Sequence, residues 1–540
     1  MWLTKMVGAI KWTGPFCLAA VVFQMVVYQV IAQETPIVRV NTRLVEVDVV
    51  VHSKGAAVTD LNQDDFTVLD NGKPQKVAAF NVISSRTTGG KSIPLPAGTV
   101  SNRLTMEGQE PAGTTVVLYD TLNTAPEDQS YGREALVRYL DTLQNGDHFA
   151  LYFLGKALLV IEDFTDDPDR IRQAARRARP EASADQTADD LADDLLASAP
   201  DLGDPIANAM QQSSIKEMQD AAQVNRAVIT GKTLELIAKH LQGLPGRKKL
   251  IWIGSSFAAQ TTDIRSHNGQ QTIEHKEFGR EIDKAVHALN DANVAVYPVD
   301  PTPLKPPPDK AFLRPGIDAM NLFAGGTGGR AFYVINDIAA AIKTAVEDSE
   351  VTYALGFYPG DIKLDGSYHS LSVKVARKGV DLRHRKGYYA TDLKQPTEKQ
   401  REESLNEIFA TPLEATGIGM TARLDPYPRQ AGVYRLTMTF NLQELHLERE
   451  KNNWVALIKI ATFFPAAKKP NGTDESIKIT LTEPRLRESL ANGYTMQRLM
   501  IVGNRKGDMR LAIQDRVTGA TGSVRLQLAG VDQINPKNGQ

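Results

Sequence analysis

The 540-residue sequence contains a single cysteine, Cys17. This residue lies in an apolar run, residues 16–32, which follows a short start that carries Lys5 and Lys11. A basic start, an apolar stretch and a small residue near its end are typical of a cleaved export signal. Without residues 1–32 the chain has no thiol, which excludes disulfides, zinc–thiolate sites and thiol catalysis.

The same segment leaves a second interpretation open. Residues 12–33 carry no charge, and a stretch of this length is about long enough to span a bilayer. We therefore expect a protein exported to the periplasm or the cell exterior. The alternative is a protein held at the inner membrane by residues 12–33 as an uncleaved signal anchor.

The sequence also lacks an excess of positive charge and the usual ligand-binding motifs. Its formal net charge is −2, so no basic field indicates a nucleic-acid partner. The nine histidines include no His-x-x-x-His pair. The glycine-rich stretch GGTGGR at 325–330 lacks the Lys-Ser/Thr of a P-loop and precedes a predicted strand, so we interpret it as a flexible turn.

Strands and helices alternate from residue 114 onwards. Leu136, Tyr139, Leu140 and Leu143 follow the spacing of an amphipathic helix. Apolar runs on either side of such helical stretches read as buried strands: TVVLY, HFALYFL, ALLVIEDF, KKLIWIG, NVAVYPV and RAFYV. This alternation predicts an α/β domain with a mainly parallel, doubly wound sheet.

The remaining chain has the period-two pattern and turn signals of β-structure, including the hairpin turn Asp70-Asn71-Gly72. The predicted organisation is a signal peptide or anchor (1–32), a small β domain (36–83), a linker (84–113), the α/β domain (114–350) with an acidic insertion (181–212), a β-hairpin extension (351–390), a helical connector (391–411) and a C-terminal β-sandwich (412–532). We interpret the insertion as a solvated segment, with calcium binding or partner docking as the alternative.

Oxygen-bearing side chains stand where the predicted parallel strands end. They are Asp120, Asn123, Thr124, Ser255, Ser256 and Asp300. Ligands of open α/β sheets bind beyond the carboxyl ends of the strands, and oxygen ligands suit a hard cation such as Mg²⁺. The alternative is that Asp120 and Asn123 only fix the loop by bonding to backbone amides.

Several long segments, in the same order along the chain, carry a family resemblance. They are VTDLNQDDFTVLDNGKPQKVAAFNV at 58–82, VVLYDTLNT at 116–124, LQGLPGRKKLIWIGSSF at 241–257, VAVYPVDP at 294–301, YALGFYP from 353 and RKGYYA ending at 390. With them, the chain resembles a von Willebrand factor type A (VWA) protein, more narrowly the VWFA-related proteins of acidobacteria. The resemblance covers most of the chain beyond the N-terminal segment.

This resemblance implies a metal-ion-dependent adhesion site: Asp-x-Ser-x-Ser after the first strand, a distant threonine and an aspartate after the fourth. Asp120 and Thr124 match the ends of the first motif, but Leu122 replaces its first serine. Ser255 and Ser256 stand where the aspartate is expected. The resemblance thus implies a degenerate site, or alternatively a variant site that holds Mg²⁺ or Mn²⁺ through Asp120 and Thr124.

We expect a non-enzymatic interaction protein that binds another protein or a cell-envelope component through the carboxyl-end rim of its sheet. A serine hydrolase is the competing hypothesis, because GSSFA at 254–258 is a loose nucleophile-elbow pattern. Its triad would combine Ser256 and Asp300 with His369 or His384.

Overall fold

The computed structural model describes residues 44–84, 95–103, 113–143, 148–178, 198, 200, 202–255, 260–267, 270–277, 279–303, 316–360, 365–391, 395–428, 430–465, 471–503, 505 and 507–528. The expected export signal and anchor, 1–32 and 12–33, lie outside these residues. Among the described helices, none is both long and apolar enough to cross a membrane.

The strands are β1 Val45–Ser53, β2 Ala56–Ala57, β3 Phe66–Asp70, β4 Lys73–Gln75, β5 Val77–Ser84, β6 Thr99–Ser101, β7 Thr114–Asp120, β8 His148–Leu154, β9 Leu158–Thr165, β10 Lys248–Ile253, β11 Gln260–His267, β12 Gln270–Glu277, β13 Val294–Val299, β14 Val351–Phe357, β15 Asp365–Val375, β16 Asp381–Arg383, β17 Gly387–Thr391, β18 Met420–Pro426, β19 Val433–Phe440, β20 Glu448–Glu450, β21 Asn453–Phe464, β22 Asn471–Thr482, β23 Tyr494–Ile501, β24 Gly507–Asp515 and β25 Thr521–Leu528. The α-helices are α1 Pro126–Leu140, α2 Pro168–Arg177, α3 Pro205–Leu241, α4 Gly279–Asp291, α5 Ile317–Thr327, α6 Ile338–Glu347, α7 Glu398–Ala410 and α8 Glu483–Asn492.

The central sheet has the strand order β13-β10-β7-β8-β9. Strands β13, β10, β7 and β8 are parallel, and β9 is an antiparallel edge strand. The predicted mainly parallel sheet is therefore confirmed. The run RAFYV, predicted as a further strand, contributes one parallel bridge between Phe332 and Val299.

Helices cover both faces of this sheet, because its strands are apolar on both sides. Alternate residues of β7 pack in opposite directions: Val116 and Leu118 join the core beneath α3, α4 and α5. Val117 and Tyr119 join the core beneath α1, α2 and α6. Every residue of β7 is buried, as expected for a central parallel strand.

Helix α3 extends past the carboxyl ends of the strands. Thr230 of α3 contacts Asn123 at the exit of β7, and α3 ends at Leu241, shortly before β10 begins at its amino end. The part of α3 before Thr230, residues 205–229, is about 37 Å long at the usual helical rise. It therefore extends beyond the strand exits.

Residues 44–84 and 351–391 form one β body rather than two separate parts. Strand β14 lies between β1 and β5 in the order β16-β1-β14-β5, and β15 pairs with β3 in the order β17-β15-β3-β4. Side chains from both segments, such as Val47 and Leu355, share one apolar core. The predicted turn Asp70-Asn71-Gly72 is confirmed, since Asn71 and Gly72 have positive φ angles and β3 pairs with β4 across them.

The C-terminal part contains two sheets on one apolar core, ordered β23-β19-β18-β6 and β20-β21-β24-β25, with β22 paired to β21. Strand β6 comes from residues 84–113, which the sequence analysis treats as a linker. Thr99–Ser101 pair with β18 more than 300 residues away, and the side chain of Asn102 bonds to Met420 and Ile418. Residues 99–101 of this segment are thus a strand of the C-terminal sheet.

Candidate functional site

The carboxylate of Asp120 is fully buried at the exit of β7 and accepts four hydrogen bonds. Its Oδ1 accepts from the backbone N–H groups of Leu122 (3.0 Å) and Asn123 (2.9 Å). Its Oδ2 accepts from the side-chain amide of Asn123 (2.7 Å) and from the indole N–H of Trp252 (2.9 Å). Four donors match the acceptor capacity of a carboxylate, so the group is satisfied entirely by protein.

The local sequence explains the two hydrogen bonds that Asp120 accepts from backbone N–H groups. An aspartate followed by a turn readily accepts backbone N–H groups two and three residues ahead, which fixes the turn. Gly254 explains the close approach of the neighbouring strand exit, because a Cβ atom there would lie 2.7 Å from the Cβ of Asp120. The exits of β7 and β10 can therefore pack against one another only with glycine at position 254.

A chain of hydrogen bonds links three strand exits into one rim. The hydroxyl of Thr124 donates to the carbonyl of Asp120 (2.6 Å) and accepts from the N–H of Ser255 (3.2 Å). The hydroxyl of Ser255 lies 3.2 Å from that of Thr302, whose N–H donates to Asp300 (3.0 Å). The structure thus places Asp120, Thr124, Ser255 and Asp300 together at the strand exits. Ser256 lies outside the described residues.

Neighbouring loops add further contacts to the described part of the rim. The N–H groups of Thr121 and Leu122 donate to the carbonyl of Leu154 at the end of β8. The side-chain amide of Gln129 donates to the carbonyls of Thr121 (3.3 Å) and Thr124 (2.8 Å). The turn between β8 and β9, residues 155–157, therefore lies beside the loop that follows β7.

The residues expected to hold Mg²⁺ or Mn²⁺ do not fit a cation in this arrangement. Both oxygens of Asp120 are used by N–H donors, and the hydroxyl of Thr124 both donates and accepts. The amide oxygen of Asn123 is buried and has no hydrogen-bond partner in the described part of the chain, but one neutral oxygen does not supply the ligands that Mg²⁺ requires. Nowhere in the described ranges do three or more His, Cys, Asp or Glu side chains form a metal-binding group.

Burial raises the pKa of Asp120, while the hydrogen bonds from Asn123, Trp252 and Leu122 oppose the rise. The direction is that of a carboxylate removed from water without a positive charge beside it.

The described residues do not assemble the hydrolase triad. His369 bonds to Asp70 in the β body (2.9 Å). His384 packs against Gly328, whose carbonyl accepts from Arg247 at the amino end of β10. Asp300 stands at the opposite, carboxyl end of the sheet, so neither histidine accompanies it.

The residues of this rim that the sequence did not predict include Trp252, Thr230, Gln129 and Thr302. Trp252 and Thr230 belong to a buried strand and a buried helix face, where their apolar neighbours give no sign of a polar role. The glutamine three residues into α1 carries a weak local signal, because side chains in a first helical turn lie close to the preceding loop.

Comparison with known proteins gives distant structural neighbours. No protein-family model matches the chain, and no curated protein matches it. An aerotolerance-related membrane protein from Bacteroides fragilis is 11% identical, with a TM-score of 0.26, over 44% of this chain and 99% of that one. The BatB protein from Bacteroides thetaiotaomicron is 13% identical, with a TM-score of 0.25, over 44% and 98%.

A von Willebrand factor type A protein from Catenulispora acidiphila matches a larger part of the chain. It is 9% identical, with a TM-score of 0.23, over 84% of this chain and 74% of that one. At such identities and TM-scores, what these neighbours do does not transfer to this chain. The central α/β sheet described above rests on its own strand order and register.

Proposed function

We propose that this chain is an exported, non-enzymatic interaction protein with a VWA-like central domain. It binds another protein or a cell-envelope component through the carboxyl-end rim of the central sheet, and it does so without a divalent cation. The observation that carries this proposal is the saturation of Asp120 by four protein donors within a hydrogen-bonded chain that links three strand exits. A rim held rigid in this way is preorganised, which lowers the entropic cost of binding.

One exposed apolar side chain beside the rim is available to a protein partner. Leu159, just after the turn between β8 and β9, is 54% exposed. Ile206 and Met210 are also exposed, but they lie about 30 Å or more along α3 from Thr230 and so are not part of the rim. Apolar side chains within a polar surround are a feature of surfaces that bind other proteins.

Site-specific photo-crosslinking in the native envelope fraction tests the proposal. A crosslinking amino acid replaces Glu127 or Lys156, which are exposed beside the rim, or Lys378, an exposed control in the turn between β15 and β16. We expect discrete adducts from the two rim positions, none from Lys378, and the same adducts in EDTA. Adducts equal at all three positions would contradict binding through the rim, and adducts lost in EDTA would contradict cation independence.

The hydrolase alternative has its own test. A fluorophosphonate probe labels an activated serine covalently, and Ser256→Ala would remove the label. We expect the intact chain and the variant to remain equally unlabelled.

A further inference from the structure

A cavity of about 430 Å³ lies where the central domain meets the β body. One wall is the end of α5, including Gly325, Gly328 and Gly329, and the other is β16 and the segment that follows it. The carbonyl of Gly328 accepts from Arg247 at the amino end of β10 (2.7 Å). The cavity is therefore at the end of the sheet opposite the proposed binding rim, and none of the residues above that form the rim line it.

Three glycines of GGTGGR line this cavity, and the motif is not the flexible turn that the sequence predicts. Residues 325–327 belong to α5, and Gly328 ends the helix in the left-handed conformation. A Cβ at Gly328 would lie 2.6 Å from the carbonyl carbon of His384, and one at Gly329 would overlap the carbonyl oxygen of Val296. A Cβ at Gly325 would meet nothing within 4 Å, so that position faces open space.

The cavity carries more positive than negative charge. Arg383 is compensated, since it pairs with the buried Asp348 and with Asp381. Arg330 and Lys386 have no ion-pair partner among the described residues. The guanidinium of Arg330 stands 5.0 Å from the centre of the Phe332 ring. This stacking contact orients the guanidinium and does not use its N–H groups.

Positive charge extends behind the cavity. Arg247 is buried, and its described hydrogen bonds go to the backbone carbonyls of Gly328 and Asp48 rather than to a carboxylate. The neighbouring imidazoles respond to this field. The pKa of His384 is lowered, chiefly by burial and further by the charges of Lys386 and Arg247. Burial and the charges of Arg383 and Arg330 likewise lower the pKa of His52.

We propose that this cavity binds a small molecule carrying a phosphate or carboxylate oxyanion, held by Arg330 and Lys386. Arg330 and Lys386 both line the cavity, and charge-assisted hydrogen bonds from a guanidinium or an ammonium to an oxyanion are strong. The volume is within the usual range for small-molecule pockets. Because the two walls come from the central domain and the β body, an anion between them also links these two parts.

Titration calorimetry on the full chain tests the site, with inorganic phosphate, acetate and chloride as probes at constant ionic strength. We expect saturable binding of phosphate or acetate, and none of chloride. Tighter binding of phosphate identifies a phosphate-type ligand, and tighter binding of acetate identifies a carboxylate. We expect Arg330→Gln and Lys386→Gln each to weaken binding about tenfold, as the loss of one charge-assisted bond implies.

Two further variants separate the site from general electrostatics. Lys216→Gln removes an exposed lysine from the part of α3 beyond the rim, and we expect it to bind as the unmodified protein does. Gly325→Phe keeps every charge but fills the open space at the end of α5, and we expect it to abolish binding. The proposal is wrong if no oxyanion binds more tightly than chloride. It is also wrong if Gly325→Phe, or the double variant of Arg330 and Lys386, binds with unchanged affinity.

Discussion

The indole N–H of Trp252 on β10 donates to the carboxylate of Asp120 on the neighbouring strand β7, at 2.9 Å. Both side chains are buried, Trp252 at 1% exposure and Asp120 at 0%. This bond and the bond from the Asn123 side-chain amide both go to Oδ2 of Asp120. The carboxylate at this strand exit therefore holds neighbouring elements together.

Removal of the indole donor tests the structural role of this bond. Trp252→Phe keeps an aromatic ring in the core but leaves Oδ2 of Asp120 with one donor fewer. We expect the free energy of unfolding to fall by about 2–4 kcal/mol, from an unsatisfied buried carboxylate and a smaller ring. Denaturant titration measures the change.

Trp454→Phe is the matched control for that measurement. The indole of Trp454 donates to Glu483 (2.7 Å), which is on the protein surface. Water can replace this donor, so we expect a loss below about 1 kcal/mol. If both variants lose the same free energy of unfolding, the bond from Trp252 to Asp120 contributes no more to stability than the surface bond of Trp454.

Divalent cations should not stabilise the chain. We expect the melting temperature to be the same in Mg²⁺, in Mn²⁺ and in EDTA, because the oxygens of Asp120 are already satisfied. Asp120→Asn should lower stability by about 2–4 kcal/mol in all three conditions, since one carboxylate oxygen becomes an NH₂ group that faces donors. Asp166→Asn, at an exposed turn position, is the control. If Mg²⁺ or Mn²⁺ raises the melting temperature and Asp120→Asn removes that rise, Asp120 binds a cation.

Buried Lys248 makes stability depend on pH. Burial lowers the pKa of Lys248 to about 8, with the charges of Asp48 and Glu46 opposing the shift. The unfolded chain holds this proton up to a pH of about 10.4, so between about pH 8 and 10.4 it binds more protons than the folded chain. Stability contributed by this group therefore rises with pH across that window, by up to about 3 kcal/mol.

The comparison that isolates this effect is between the unmodified protein and Lys248→Met. We expect the difference in their free energies of unfolding to move in favour of the unmodified protein as the pH rises from 8 to 10.4. Lys374→Met, at an exposed position on β15, should give a difference that does not change with pH. A difference for Lys248→Met that is constant or falls would contradict the assignment.

Gly243 allows the end of α3 to contact the C-terminal sheets. Its N–H donates to the hydroxyl of Thr416 (3.0 Å), and a Cβ there would overlap the carbonyl oxygen of Thr416. We expect Gly243→Ala to destabilise the chain by about 2 kcal/mol or more, because backbone must move to accept the methyl group. Thermal unfolding followed by circular dichroism measures this.

The control uses a glycine that has space for a methyl group. A Cβ at Gly325, inside α5, would touch nothing within 4 Å. Alanine is the better helix former, so Gly325→Ala should be neutral or stabilising by up to about 1 kcal/mol. If both alanine variants have the same melting temperature, close packing at Gly243 does not limit stability.

Local patterns predicted the parts of this fold that local physics controls. The apolar runs of β7, β8, β10 and β13 become buried parallel strands. Leu136, Tyr139 and Leu140 form a buried face of α1, and Leu143, just beyond the end of the helix, joins the same core. The turn at Asn71-Gly72 forms because these residues accept positive φ angles. Local patterns do not predict pairing between strands that are far apart in the sequence. Strand β6 pairs with β18, and β14 lies between β1 and β5.

For the rim, the sequence by itself determined which side chains stand at the strand exits, since parallel strands bring their carboxyl ends to one edge. Only the tertiary structure decided what Asp120 does there. Its side-chain partner Asn123 is three residues away, but Trp252 is 132 residues away, and Thr230, which orients Asn123, is 107 residues from it. Whether a carboxylate binds a cation or structural donors depends on which groups lie beside its lone pairs in the folded chain. Packing between distant segments determines those groups.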